Sequence, residues 1–241
     1  MTCIDASGMD YAALNAAIRA HDGDIIIQNC MGQRFIGAGA QNHTIQIYGI
    51  PGNALGAYLD GATVEVFGNA QDAVGDTMNA GRIVIRGDIG DTAGYAMRGG
   101  RIYVHGNAGY RTGIHMKAYQ DKLPVLVIGG RTGSFLGEYQ AGGVIVVLGL
   151  DAVGERPIVS NFPCTGMHGG KLFLRSDCAE IAFPEQVTAR PATPEDMAEI
   201  EEYLREFYAL LDFDFDMLYA SRYTVVTPDS QNPYQQMYVA N

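Results

Sequence analysis

A period of 19 residues governs the glycines of this chain. The glycines that open successive copies of the pattern Gly-x-x-Gly-x-x-x-Gly are Gly49, Gly68, Gly87 and Gly106. The copy at Gly68 departs from the pattern, because Gln71 takes its middle position. After a five-residue insertion the pattern returns at Gly130. A fixed period near 20 residues is typical of solenoids, in which the chain stacks equivalent turns on one another.

Each opening glycine follows a short run rich in β-branched and aromatic residues, such as Thr44–Tyr48 and Arg101–His105. In a strand, alternate side chains point to the same face. The positions two and four before the glycines therefore form one face, and they hold Ile47 and Ile45, Val66 and Val64, Ile85 and Ile83, Val104 and Ile102, and Val147 and Ile145. These aliphatic side chains are expected to stack inside the coil. For the run Val125–Ile128, both Gly129 and Gly130 fit as the opening glycine.

A second column lies ten residues after the opening glycines and holds Leu59, Met78, Met97, Met116 and Gln140. A series of methionines raises the question of a metal or haem, but Met also fills irregular interior space well. We therefore predict that this column belongs to the core. The glycines are expected to serve sharp corners, which need a positive φ or a close backbone approach.

The two ends of the repeat carry segments of a different character, and we divide the chain into an N-terminal cap (1–22), a β-helix domain (23–185) and a C-terminal helix and tail (186–241). Asp10 is expected to cap a helix over Tyr11–Ala20, covering a first turn whose strand is Asp24–Gln28. Thr193 followed by Pro194 and acidic residues predicts the start of a second helix.

The outer face of the coil is polar in early turns, at Gln46 and Glu65, and apolar in later ones, at Val146, Leu148 and Phe173. A contiguous apolar flank rarely faces water. We therefore expect the C-terminal helix, the tyrosine-rich tail or another subunit to cover it.

The net charge of −11 disfavours nucleic acid and anionic membranes as partners. No long apolar span or secretory leader is evident, so a cytoplasmic location is expected. Cys3, Cys30, Cys164 and Cys178 form no Cys-x-x-Cys pair, and free thiols are expected. The histidines lack the spacing of metal ligands, and the glycines match no dinucleotide or phosphate loop.

Parallel β-helices also include enzymes that act in a groove along the coil. Here Arg86 and His105, with Arg82 or Arg101, could line such a groove, and His105 titrates in the range that suits a general base. The simpler interpretation is a solvated strand residue beside an arginine. A left-handed hexapeptide stack would need 18 residues per turn, and the period of 19 argues against it.

The chain resembles the Gly-x-Gly-x-Gly domain of glutamate synthase large subunits. The matching features are the repeat between Gly49 and Gly149, the Arg-Ile strands after Gly81 and Gly100, and the segment 165–170. A related stack occurs as one of the subunits of formylmethanofuran dehydrogenase. The C-terminal segment, with Pro194–Asp216 and 232–234, looks like that of stand-alone versions. The resemblance implies an all-β fold: a right-handed parallel β-helix of about seven turns, with a short N-terminal capping helix and a C-terminal helical extension.

The same resemblance implies a role without catalysis. In glutamate synthases an amidotransferase with an N-terminal cysteine releases ammonia, a TIM barrel with FMN and an iron–sulfur cluster consumes it, and the β-helix spaces the two. Cys3 would not become N-terminal, and this chain has neither a barrel pattern nor cluster-type cysteine spacing. No catalytic, cofactor-binding or metal-binding residue is therefore assigned. The chain is expected to be a structural subunit that partners amidotransferase and FMN/iron–sulfur subunits. A groove enzyme acting on a carbohydrate or small molecule, and a homo-oligomeric module, are the alternatives.

Overall fold

A computed structural model describes residues 1–150 and 157–229 of the chain. Nine strands pair in parallel and in chain order, so that successive strands lie on successive turns of a solenoid of about eight turns. The strands are β1 (Thr2–Asp5), β2 (Ile25–Met31), β3 (Thr44–Ile50), β4 (Asp60–Phe67), β5 (Ala80–Ile85), β6 (Arg101–Val104), β7 (Val125–Ile128), β8 (Ala141–Val147) and β9 (Gly169–Leu174). The predicted all-β solenoid is confirmed, with about eight turns instead of the predicted seven because β1 adds a turn at the start, and its right-handed winding remains a prediction.

The aliphatic columns lie inside the coil as predicted. Ile45 pairs with Val64, Val64 with Ile83, and Ile83 with Ile102. All four side chains are fully buried. The methionine column is core as well, since Leu59 and the three methionines are buried in the same cluster and Gln140 is fully buried. Leu126 and Ile128 also face inward, which selects Gly130 as the opening glycine of the fifth copy.

The start of the solenoid differs from the prediction. The first strand is β1, at residues assigned to the cap, and it pairs in parallel with β2 from Thr2 opposite Ile25 onward. Helix α1 (Tyr11–Arg19) connects these two strands, with Asp10 as its N-cap as predicted. The predicted strand Asp24–Gln28 is β2, which runs on to Met31. The signal for β1 was weak, because four residues with one buried side chain show no clear alternation.

The opening and middle glycines of the central copies make room for side-chain oxygens of the preceding turn. The amide of Asn107, which follows Gly106, donates to Asp88 Oδ1 at 2.6 Å, and the amide of Asp91, which follows Gly90, donates to Asp72 Oδ1 at 2.9 Å. A Cβ on either glycine would collide with that acceptor oxygen. Close approach, rather than positive φ, is therefore what these positions require.

The third glycine of each copy has a different task. Gly75 and Gly113 both adopt positive φ, at 69° and 74°. A Cβ there would strike the inward-facing Cδ1 of Ile102 or Ile145, which lies on a later turn. The glycine pattern thus couples the corner conformation to the packing of the aliphatic columns.

The C-terminal part of the described chain folds back over the solenoid. Strand β10 (Val187–Pro191) leads into helix α2 (Pro194–Leu211), then helix α3 (Phe215–Tyr219) and strand β11 (Thr224–Pro228). β11 lies antiparallel between β9 and β10, so it extends the sheet beyond the last parallel turn. Thr193 and Asp196 form a reciprocal capping box at the predicted start of α2.

The apolar flank is covered, as predicted, and of the three covers considered it is α2 that packs on it. Val146, Leu148 and Phe173 are fully buried and belong to one cluster with α2. The side chains that α2 contributes are Ile200, Leu204, Phe207 and Leu211. Full burial of a Leu or Phe side chain contributes about 1.5–3 kcal/mol, so this layer stabilises the later turns substantially. The tyrosine-rich tail offered as another cover, including Tyr234, lies outside the described residues.

Candidate functional site

The polar outer side chains of the central strands are engaged by helix α2. Glu206 Oε1 accepts a hydrogen bond from Arg82 at 2.7 Å, and its Oε2 accepts from Arg101 at 2.6 Å and from Tyr103 at 2.5 Å. Arg101 also donates to Glu202 at 2.7 Å. Two arginines from neighbouring strands are thereby held by carboxylates of the chain itself.

This cluster shifts the titration of its members. Burial disfavours the charged form of Glu206, but hydrogen bonds from Tyr103, Arg101 and Arg82 outweigh it and hold the pKa of the carboxyl below its usual value. Burial, reinforced by the bond to Glu206, raises the pKa of the Tyr103 phenol far above its usual range. Tyr103 therefore remains a proton donor to an ionised Glu206 at neutral pH.

The polar side chains considered for a groove enzyme are bound by other residues of the chain, and Arg82, Arg101 and Glu206 line an open pocket there. Arg86 donates to Glu65 on the neighbouring strand at 2.6 Å and lies over the ring of Phe67. His105 packs against Phe213, which follows α2, with ring centroids 5.0 Å apart. Each of the two side chains thus has a structural partner.

The described segments contain side chains of the types that bind metals, and four cysteine thiols. Within residues 1–150 and 157–229, no group of three His, Cys, Asp or Glu side chains could hold a metal ion. The four cysteines are free, with Cys3 exposed and the other three buried. Burial raises the pKa of the Cys30 thiol to about 11, which suppresses its reactive thiolate at neutral pH.

A regular surface that α2 leaves uncovered is a corner of the solenoid, which we call the corner face. Its first column stacks one residue per turn between β2 and β9, namely Phe35, Ala54, Ala73, Thr92, Arg111, Phe135 and Phe162. Backbone bonds fix the register; the amide of Ala73, for example, donates to the carbonyl of Asp91 one turn on.

A second column lies four residues further along each turn and holds Tyr58, Thr77, Ala96, His115 and Tyr139. All members of both columns adopt φ between 49° and 64° although none is glycine. This conformation costs roughly 1 kcal/mol or more per residue. Sequence reasoning missed these two columns, because their residue types are mixed and only their backbone conformation is shared.

Aromatic and cationic groups stack on one another on the late turns of the corner face. Phe135 stacks on Phe162 with centroids 5.3 Å apart, and Arg111 lies over the ring of Phe135. His115 stacks on Tyr139 at 5.1 Å. Tyr, Phe and Arg are enriched in protein–protein interfaces, so this end of the corner face has the composition of a docking surface.

The architecture defines the chain as a parallel β-solenoid whose flank is closed by its own C-terminal helix. One solved structure with this architecture is a chain in the formyltransferase/hydrolase complex FhcABCD from Methylorubrum extorquens, determined with methylofuran. The TM-score is 0.62 at 19% sequence identity, covering 92% of this chain and 90% of that one. At this identity the similarity establishes the fold.

The chain belongs to the GXGXG motif family, which it matches over residues 12–227. The match spans the solenoid turns from α1 onward and also α2. A relative in the same range of length is the uncharacterized protein MJ1350 of Methanocaldococcus jannaschii. It is 43% identical over 248 residues, covering 98% of this chain and 95% of the relative. Among residues 1–150 and 157–229, no helix is long and apolar enough to span a membrane.

Proposed function

We propose that the chain is a non-catalytic structural subunit of a multi-subunit enzyme assembly of the glutamate synthase type. Its partners would be a separate amidotransferase and a separate subunit with FMN and an iron–sulfur cluster. Membership of the GXGXG family and the fold shared with a chain of the FhcABCD complex support a place in such an assembly.

The main observation behind the proposal is that the polar side chains along the solenoid bind other residues of the same chain. Arg82 and Arg101 are bound by Glu206, Arg86 by Glu65, and His105 by Phe213. A groove enzyme needs polar groups that converge on an open site. The same arrangement suits a rigid spacer, because each contact holds the C-terminal segment or a strand against the neighbouring strands of the solenoid.

Rigidity is what an assembly that passes ammonia between subunits requires. Ammonia that escapes to water is lost to the second reaction, so the two sites must keep a fixed, sealed relation. A solenoid provides this, because every turn is hydrogen-bonded to the turns on both sides of it.

Affinity purification of the tagged chain from its native host tests the proposal. We expect an amidotransferase with an N-terminal cysteine and a flavoprotein with an iron–sulfur cluster to co-purify in fixed ratio. In the reconstituted assembly, omission of this chain should raise the free ammonia released for each glutamine hydrolysed, while glutamine hydrolysis itself continues.

The outcomes separate the parts of the proposal. Recovery with formyl-transfer enzymes instead would overturn the glutamate synthase assignment and keep the structural role. Recovery of the chain alone at physiological concentration, with an activity of its own, would overturn both.

A further inference from the structure

We infer that the corner face is an isologous interface through which two copies of this chain associate with their solenoid axes antiparallel. The inference goes beyond the proposed function, since it concerns the chain by itself. It follows from the order of large, small and charged residues in the two corner columns.

The two halves of the corner face differ in relief. In the turns after β3, β4 and β5 the first column holds the small residues Ala54, Ala73 and Thr92, whereas in the turns after β6, β7 and β8 it holds Arg111, Phe135 and Phe162. Ala54 is only 7% exposed, but Phe162 is 63% exposed. In the first column of these six turns the early half is therefore a depression and the late half a ridge, while Phe35, on the turn after β2, lies beyond them.

The two-fold axis of such a dimer would lie in the interface, perpendicular to the solenoid axes, at the level between the turns after β5 and β6. It would place the ridge of one copy in the depression of the other. With this axis each column faces itself in reverse turn order. The facing pairs in the first column are Thr92 with Arg111, Ala73 with Phe135, and Ala54 with Phe162. Each pair joins one small and one large side chain.

The second column gives the same result independently. Its facing pairs are Ala96 with His115, Thr77 with Tyr139, and Tyr58 with Gly166. The large member lies on the late turn in two pairs and on the early turn in the third, where the late turn has glycine. Size complementarity in every facing pair is the property that packed isologous interfaces need.

Charge favours the antiparallel arrangement over the parallel one. The early turns of the corner face carry Asp72, Asp76 and Asp91, whereas the late turns carry Arg111 and Glu138, which bond each other. Antiparallel copies bring Asp91 opposite Tyr110 and beside Arg111, while parallel copies would bring acidic turns onto acidic turns. Asp76 would face Glu138, but Glu138 is buried and bonded to Arg111 at 2.9 Å.

The size of the corner face sets the expected affinity. Six turns at ~4.8 Å per turn give a strip nearly 30 Å long, which corresponds to an interface near the ~1,000 Å² lower limit of specific complexes. We therefore expect a dissociation constant in the micromolar range, and a dimer that forms without any other subunit.

A side-chain swap tests the predicted pairing in the purified full-length chain. Ala73→Phe should oppose Phe135 of the second copy, and Phe135→Ala should leave a gap, so each should raise the dissociation constant about tenfold or more. The double variant Ala73→Phe/Phe135→Ala should restore it to within about threefold of the wild type. Phe is tolerated at this φ, since positions 35, 135 and 162 have it in the same column.

Sedimentation equilibrium gives the dissociation constants, and thermal melting shows that each variant is folded. Tyr208→Ala, which removes an exposed aromatic side chain from α2, is the matched control and should leave association unchanged. A chain that stays monomeric up to about millimolar concentration, the limit of weak specific binding, would overturn the inference. A double variant no better than the single ones would overturn it too.

Spin labels then determine the orientation, with Cys3→Ser as the background because Cys3 is the exposed thiol. Labels at Asn53→Cys should lie five strand spacings apart along the axis, ~24 Å, whereas labels at Tyr110→Cys should lie about one spacing apart, ~5 Å. Equal axial offsets at the two sites would indicate a parallel pair and contradict the inference.

Discussion

Tyr103 donates a hydrogen bond of 2.5 Å to Glu206 across the boundary between strand β6 and helix α2. The two residues are 103 positions apart in the sequence. Tyr103 is fully buried beneath the helix, and Arg82 and Arg101 donate to the same carboxylate. A charged group this well hydrogen-bonded fixes the position of α2 on the sheet, because any shift along the helix axis would leave three donors unpaired.

We predict that Glu206→Gln lowers the free energy of unfolding by about 1–3 kcal/mol, since the amide oxygen cannot accept from all three donors and Arg82 loses its carboxylate partner, while Arg101 keeps Glu202. Urea titration followed by circular dichroism measures the change. Glu201→Gln is the matched control on the same helix. Glu201 bonds the exposed Arg205, and its loss should cost less than about 0.5 kcal/mol. Equal effects of the two variants would contradict the assigned role.

The same carboxyl should make stability depend on pH. The folded pKa of Glu206 lies below its unfolded value of 4.5, so the unfolded state binds the proton more readily. Its stabilising contribution is therefore complete above the unfolded pKa and is lost as pH falls through the folded one. The stability gap between wild type and Glu206→Gln should narrow as pH falls below about 4.5. A gap that stays constant across acid pH would count against this linkage.

The glycine pattern makes a prediction that is independent of α2. Gly90→Ala should destabilise the fold by about 2–4 kcal/mol, because its Cβ would displace Asp72 Oδ1 from the amide of Asp91. Gln71 holds the equivalent position one turn earlier, so Gln71→Ala adds no Cβ and should change stability by less than about 0.5 kcal/mol. Thermal unfolding of the two variants compares them directly, and a mild effect of Gly90→Ala would show that the turns can separate locally.

Much of the solenoid could be predicted because its signal repeats. The turns from β3 to β6 present the same alternation, so Ile45, Val64, Ile83 and Ile102 reinforce one another, and their superposition is confirmed. The apolar face of α2 and the apolar flank were likewise visible separately, and the need to bury both made α2 one of three candidate covers.

The remaining features could not be predicted, because they depend on which residues lie together in space and not on a pattern within one turn. The contact of Glu206 with Tyr103 requires knowing where α2 crosses the sheet. The corner columns share a backbone conformation but no residue type, so Ala73 and Phe135 look unrelated in the sequence. The earliest strand, β1, lies before the first recognisable glycine copy and was assigned to the cap.

The buried contact between α2 and the solenoid should dominate the stability of the C-terminal layer. Phe207 is fully buried against Tyr103 and stacks on Phe213 with ring centroids 5.3 Å apart. Phe207→Ala should therefore lower the free energy of unfolding by about 3–5 kcal/mol, through lost burial and the cavity left behind. The adjacent Tyr208 is exposed, and Tyr208→Ala should cost less than about 0.5 kcal/mol. Urea unfolding measures both, and binding of a hydrophobic dye should rise only for Phe207→Ala, since only that variant loosens α2 from the apolar flank.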